Sequence, residues 1–416
     1  MDIRFIHAAD LHLDTPFVGL SQLPPRIREQ IQESTFQAYQ RLIQLCIDEQ
    51  VDFLLLAGDI YNSADRSLRA QLRFKEGLER LASCGISSYI IHGNHDPLDG
   101  YRARLTWPEQ VHFFSGEEVE SIPYRKNGRE LARIYGISYP THHVMDNLAI
   151  RFQREEHNSY AIGLLHSNVG GDTAHDNYAP CSMADLQRSG MDYWALGHIH
   201  VGQILRKDKP VIIYPGNLQG RSFKETGEKG CYLVEVDSVG KTSLSFRGLD
   251  VVRWFDSQMD LTICQTEQDL LDHLDREMDN WKQLVKGRSV IGRLRLKITE
   301  ELAAILRKHN ITHDLLDRYR EIDTPFFWLQ AIHVQVSSVL LEEDPFLLEM
   351  QTWVHRLKEE PQLLQELLQE ASSPLRHEHR LGRKWVTWFG EGDRDWNWNE
   401  ELERLLGHRE KGEWKS

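Results

Sequence analysis

Cysteine is scarce in this chain. There are five in 416 residues, Cys46, Cys84, Cys181, Cys231 and Cys264, scattered and odd in number. No C-x-x-C pair occurs among them, so reduced core thiols are expected rather than a disulfide framework. Long uncharged apolar runs are also missing; none approaches the ~20 residues a membrane span needs. The N-terminus, Met1-Asp-Ile-Arg-Phe-Ile6, enters a strand pattern directly, and no signal peptide is expected. A cytoplasmic protein without membrane association is therefore expected. Excess positive charge is lacking as well: the net charge is -14. That excludes attraction to nucleic acid over the whole surface. A nucleic-acid substrate would need local basic patches, a metal centre that offsets the acidity, or a partner that supplies the groove. Internal repeats and low-complexity linkers are absent.

What is present is globular. Hydrophobic residues make up 40% and charged residues 27% of the chain, ample for a core, and the length suggests two to three domains. Apolar runs at 3–8, 53–57 and 88–91 read as buried strands. Between them lie helical patterns, one opened by Pro24-Pro25 and running to about Glu49, the next spanning about 67–83. This rhythm predicts a largely parallel sheet with crossover helices. Shorter strands follow at 111–114, 132–137, 160–165, 193–196, 211–214 and 230–236, punctuated by Gly, Pro and Asn. They predict a second, mixed or antiparallel sheet, packed face to face on the first and covered by helices. A strand–helix–strand–helix–strand pattern from about 251 to 339 predicts a small α+β unit. From Pro345 onward the chain reads as Glu-rich amphipathic helix, closing in a Trp-dense stretch, Trp385 to Trp398.

Metal-binding residue types sit where the apolar runs end. Asp10 and His12 follow the first strand, Gly58-Asp59 the second, and Gly93-Asn94-His95-Asp96 the third. His166 closes a later strand, and Gly197-His198-Ile-His200 follows another. In open α/β sheets ligands bind at the carboxyl ends of strands, and all of these residues lie there. If the chain stays extended past the first strand, Asp10 and His12 point the same way, as a shared ion requires. Read singly, such residues are turn formers, helix N-caps or satisfied loop histidines. Five clusters in this order, all at strand ends, make that reading a chain of coincidences.

The order D-x-H, G-D, G-N-H-D, H, G-H-x-H resembles that of the calcineurin-like metallophosphoesterases. Within that superfamily the chain is similar to the SbcD-type DNA repair exonucleases, through Phe5-Ile-His-Ala-Ala-Asp10-Leu-His-Leu-Asp14, Leu56-Ala-Gly58-Asp-Ile-Tyr61 and Gly197-His-Ile-His200 with Tyr214-Pro-Gly216-Asn217. The motifs cover about the first 240 residues. The resemblance implies an α/β fold: a four-layer α/β/β/α sandwich at 1–245, a small α+β accessory or DNA-binding cap domain at 250–340, and a helical partner-binding region at 345–416. It implies one metal on Asp10, His12, Asp59 and His200, and a second on Asp59, Asn94, His166 and His198, with Asp59 bridging. Mixed oxygen and nitrogen ligands suit Mn²⁺, with Fe and Zn as alternatives. Two ions ~3.5–4 Å apart would activate a water and clamp the scissile phosphate. His95 would be the general acid and Asp96 would orient it; the alternative for Asp96 is a helix N-cap.

Two positions depart from the family pattern. Asn62 stands where some family nucleases carry His or Asp, and Asn217 where Ser is frequent. Arg221 and Lys224 are candidate phosphate contacts by their place after the last metal motif, ahead of Arg102 and Arg104. His7, His92 and His175 are assigned no role, and His7 is expected to pack in or beside its strand. The resemblance implies a DNA exonuclease, with endonuclease activity as an added capacity, working as a homodimer with an SbcC-like coiled-coil ATPase. A small-nucleotide phosphodiesterase or phosphatase and a catalytically silent scaffold subunit are the alternatives.

Overall fold

The computed structural model describes residues 2–17, 23–62, 67–101, 103–156, 159–171, 178–308 and 311–337, with four further positions between 349 and 356. The expected helices beyond 345, apart from those positions, and the Trp-dense end lie outside the described residues. Two compact units emerge. The first comprises Met1–Met259, Glu267–Leu296 and Leu306–His333, and the second Asp260–Thr266, Lys297–Ile305 and Val334–Ser416. The segment expected to form an accessory domain from 250 is thus shared between them.

The first sheet runs, in spatial order, Thr242–Gly248, Gly230–Val236, Ile3–Ala8, Phe53–Ala57, Ser87–Ile91, Val111–Phe113. Its last four strands are parallel, and its first two are joined antiparallel. Helices Pro25–Asp48 and Leu68–Ser83 are the crossovers, the second capped by the Ser67 side chain. The second sheet runs Glu120–Lys126, Arg129–Gly136, Tyr160–His166, Tyr193–Gly197, Val211–Tyr214, Gln203–Arg206. It is parallel at its centre and antiparallel at both edges.

The two-residue period of the buried strands divides the core. Ile6, Leu54, Leu56 and Ile90 face the helices, where Phe36, Tyr39, Leu42, Phe74 and Leu78 meet them. Phe5, Phe53, Leu55 and Tyr89 face the second sheet and pack on Ile134, Ile162, Leu164, Tyr193 and Ile213. The outer side of the second sheet buries Trp194, Leu165 and Ile212 under Leu186 and Phe152. Four layers, α/β/β/α, follow. Each fully buried large side chain contributes ~1.5–3 kcal/mol.

Three strands of these sheets carry no strong sequence signal: Glu120–Lys126, Gln203–Arg206 and Thr242–Gly248. All three are edge strands, half-buried or exposed. One contains Pro123, which an edge tolerates because one side of the strand has no ladder to complete. A third sheet, Val252–Asp260, Ser289–Thr299, Phe327–Ser337, Arg320–Glu321, has helix Glu267–Val285 beside it in sequence. Within the first unit Trp281 stacks on Phe255 and leaves no room for a Cβ at Gly292. In the second, Leu261 N bonds Lys297 O at 2.8 Å, and Leu302 and Ala303 are buried.

His7 packs between the sheets as expected. Its Nε2 donates to Leu196 O at 3.1 Å and its Nδ1 accepts from Tyr193 Oη at 3.0 Å, so the neutral ring is fully satisfied. Burial pushes its pKa down to about 3, against ~6.5 for the unfolded chain. The unfolded state therefore binds one more proton between these values. This contribution is complete above pH ~6.5 and is lost as pH falls toward 3, at up to ~1.4 kcal/mol per pH unit. Denaturant titrations from pH 7 to 4 are expected to show a shallower acid limb for His7→Gln than for the wild type. Parallel limbs would show that His7 does not carry this loss.

Candidate metal centre

The parallel strands of both sheets end at one place. Past Ala8, Asp10 N donates to Gly58 O (3.1 Å) and His12 N to Asp59 O (3.0 Å). Asp10, His12 and Asp14 have φ of 53°, 43° and 62°. The chain is therefore not extended there, contrary to the sequence expectation. Asp10 and His12 share an aim through alternating left-handed residues, whose steric cost only a strongly determined surround sustains. Asp59 (φ 50°) and His198 (φ 103°) carry the same strain. Such outliers cluster at functional sites.

Ligand atoms of Asp10, His12, Asp59 and His200 all lie within 4.8 Å of one another. His12 Nε2 is 3.1 Å from His200 Nε2 and 3.7 Å from Asp59 Oδ2. On the other side of Asp59, His166 Nε2 lies 3.4 Å from the same Oδ2 and 3.0 Å from Asn94 Oδ1. The His198 ring stands 5.2 Å from that of His166, and His198 N is 3.2 Å from both Asp10 carboxylate oxygens. All of these residues are buried except His200, which is partly so. The motif glycines make room: a Cβ at Gly93 would collide with Asp59 Oδ1 and His166 Nε2, and one at Gly58 would come within 2.6 Å of His166 Nδ1.

These residues fit a divalent cation on each side of Asp59. His166 Nδ1 donates to Ala57 O (2.9 Å), which leaves Nε2 as a lone pair pointing at two oxygen acceptors. Three buried acceptors meeting at one place need a proton or a metal between them. The electrostatics of the protein alone show the same demand. Burial pushes the Asp10 carboxyl up to about 6. For Asp59 burial acts the same way, but the neighbouring His166 outweighs it and holds the carboxyl well below its usual range. Burial opposes the His166 cation, yet Asp59 raises that imidazole to about 9.

His95 stands at the rim, half-buried, its ring 4.9 Å from that of His12. Its backbone N donates to Asp59 Oδ1 (2.9 Å) and its Nδ1 to Asn62 O (3.0 Å). Asp96 is buried, and its carboxylate accepts from Gly93 N (2.8 Å) and Ile60 N (3.0 Å) and faces His92 Nδ1 (3.1 Å). It shapes the loop that presents His95, while the ring itself is oriented by Asn62 O. No helix starts directly after Asp96, so the N-cap alternative does not apply.

Several residues at the site had no signal, or a weak one, in the sequence. Glu225 Oε1 accepts from His200 Nδ1 at 2.8 Å. Burial would raise the Glu225 carboxyl, but the hydrogen bonds from His200 and Arg221 outweigh it and hold it well below the usual carboxylate range. Arg221 Nη1 reaches Asn62 Oδ1 (3.1 Å), which also accepts from Thr15 Oγ1 (3.2 Å). His142, outside the motifs, donates from Nδ1 to Asn94 O (2.5 Å). Arg104 and Lys224 are exposed, and Arg102 and His175 lie outside the described residues.

Comparison with known proteins agrees with this geometry. The calcineurin-like phosphoesterase profile matches residues 3–202. The metallophosphoesterase YhaO of Bacillus subtilis is 46% identical over 298 residues, 72% of each chain. The chain belongs to the calcineurin-like metallophosphoesterases. That family hydrolyses phosphoesters at a binuclear metal site. The SbcD component of the nuclease SbcCD from Bacillus subtilis is 24% identical over 293 residues, 61% of this chain and 72% of its own. The DNA double-strand break repair protein Mre11 of Sulfurisphaera tokodaii is 27% identical over 219 residues, 50% of this chain and 52% of its own. Among the described residues no helix is long and apolar enough to cross a membrane.

Proposed function

We propose that this metallophosphoesterase is a Mn²⁺-dependent DNA exonuclease with endonuclease capacity, acting in DNA repair as a homodimer with an SbcC-like coiled-coil ATPase. Residues 1–245 would form the catalytic domain, 250–340 the DNA-facing cap, and 345–416 the grip on the ATPase. One observation carries the reaction class: a single carboxylate oxygen, Asp59 Oδ2, lies between His12 Nε2 at 3.7 Å and His166 Nε2 at 3.4 Å. Asp10, His12, Asp59 and His200 would hold one ion, and Asp59, Asn94, His166 and His198 the other. When bound, such ions supply Lewis acidity at the phosphate and a nucleophilic water at neutral pH.

The chain's own residues supply the rest. His166 is kept in its ligating tautomer by Ala57 O. His95 commits Nδ1 to Asn62 O, so Nε2 is the nitrogen that delivers a proton to the leaving oxygen. After that transfer the neutral ring still carries its Nδ1 proton, and its hydrogen bond is unbroken. The similarity to the SbcD component of a nuclease and to the DNA double-strand break repair protein Mre11 supports DNA as the substrate.

Purified protein supplied with Mn²⁺ is expected to shorten linear DNA progressively from its ends, and EDTA to stop it. Hydrolysis of small diesters alone, with DNA untouched in the presence and absence of the ATPase, would replace this reading with the small-nucleotide phosphodiesterase.

A further inference from the structure

The carboxylate of Glu225 is fully engaged although it belongs to none of the metal motifs. Oε1 accepts from His200 Nδ1 (2.8 Å) and Arg221 Nη2 (2.8 Å). Oε2 accepts from Arg221 N (2.8 Å), Arg221 Nε (3.3 Å) and Asn217 Nδ2 (2.9 Å). Only 12% of the Glu225 side chain and 17% of that of Arg221 are exposed.

His200 Nδ1 has two neighbours that demand opposite tautomers. Donating to Glu225 leaves a lone pair on Nε2, which lies 3.1 Å from His12 Nε2 and 3.9 Å from Asp10 Oδ1. Accepting from Arg221 Nη2, at 3.0 Å, would instead place the hydrogen on Nε2 and remove it as a ligand. The charged carboxylate is the nearer partner. Arg221 already has acceptors in Glu225 and in Asn62 Oδ1. We infer that Glu225 is a positioning residue that holds His200 in its metal-ligating tautomer, and that Arg221 clamps Glu225 and ties it through Asn62 to His95.

Both departures from the family pattern belong to this brace. Asn217 Nδ2 bonds Glu225 Oε2 at 2.9 Å, and Asn62 accepts from Arg221 on Oδ1 and from His95 Nδ1 on its carbonyl. The chain His200–Glu225–Arg221–Asn62–His95 therefore joins the last proposed ligand to the proposed acid. Carboxylates behind ligating histidines set tautomer and ring direction, and their loss costs ~10–100-fold in metal affinity.

This inference rests on the two-metal reading, and the experiment separates the two. Mn²⁺ alone is titrated into metal-free full-length wild type, Glu225→Gln and Glu225→Asp, with site occupancy and affinity read by calorimetry. The Gln variant is isosteric, but its amide can donate to Nδ1 and so favours the wrong tautomer. It is expected to keep one site and to bind the other ~10–100-fold more weakly, with the Asp variant recovering most of the loss. Unchanged affinity at both sites in Glu225→Gln would overturn the role. Whether or not that variant folds, ¹⁵N shifts of the metal-free wild type, assigned by comparison with His200→Gln, test the role directly. The Nδ1–H form is expected for His200, and an Nε2–H form would overturn it. Failure of the wild type to take up two ions would defeat the two-metal reading instead, and the tautomer measurement would still judge Glu225.

Discussion

His95→Ala is expected to slow DNA cleavage by ~10²–10⁴-fold, the usual contribution of a positioned general acid, while metal content stays at two ions per chain. The two readouts separate because His95 acts at the centre in two chemically distinct ways. Its backbone N–H bonds Asp59 Oδ1, and alanine keeps that group, so the proposed bridging carboxylate stays oriented. Its imidazole contributes no atom to the ligand cluster of Asp10, His12, Asp59 and His200, so metal stoichiometry should not notice its loss. What disappears is the ring whose Nε2 delivers the proton. Metal analysis of the purified variant, run beside single-turnover cleavage, checks both halves. Wild-type cleavage by His95→Ala would remove the acid role. A fall in both cleavage and metal content would show that the ring supports the centre instead.

Asp59→Asn is expected to have the largest effect on metal. Asp59 Oδ2 is the atom shared by the two proposed ligand sets, close to His12 Nε2 on one side and His166 Nε2 on the other. An amide in its place has one oxygen and no charge to spread over two ions. It would leave His166 without the anion that raises its pKa to about 9 in the metal-free protein. Loss of affinity should exceed the ~10–100-fold seen for partners one bond further out. Mn²⁺ at about 100 times its Kd stabilises the wild type by ~2.7 kcal/mol per ion, so the wild-type melting temperature should rise with Mn²⁺ and that of Asp59→Asn should scarcely move. Asparagine can still accept from His95 N, so the loop itself should survive, and melting of the metal-free forms tests that. An equal Mn²⁺-dependent rise in both proteins would show that Asp59 is not a ligand.

The sequence was most legible where structure is locally determined and buried. Strand 53–57 is a continuous apolar run because both of its faces are covered. The same covering forces polar residues to wait for the strand ends, which is why the motifs stand out there. Legibility failed at the edges. Glu120–Lys126, Gln203–Arg206 and Thr242–Gly248 bury too little to show a period, and only their ladder partners make them strands. It failed again in backbone detail: Asp10 and His12 face the same place through left-handed residues, not through strand alternation.

From residue types in order along the chain, and the family resemblance they carry, came the four-layer fold, the family and the residues proposed as ligands; the motifs are legible because a strand end and its following turn are set by neighbours within a few positions. Tertiary structure alone decided what stands behind those residues. Arg221 meets Asn62 across 159 positions, and His166 takes its tautomer from Ala57 O across 109. A carboxylate such as Glu225 looks like any surface acid in sequence. Its bond to His200 exists only because the turn after Tyr214 folds back on the strand end that carries the histidines. Hydrogen bonds act over about 3 Å regardless of chain separation, so the partners of a site become visible only when the chain has closed around it.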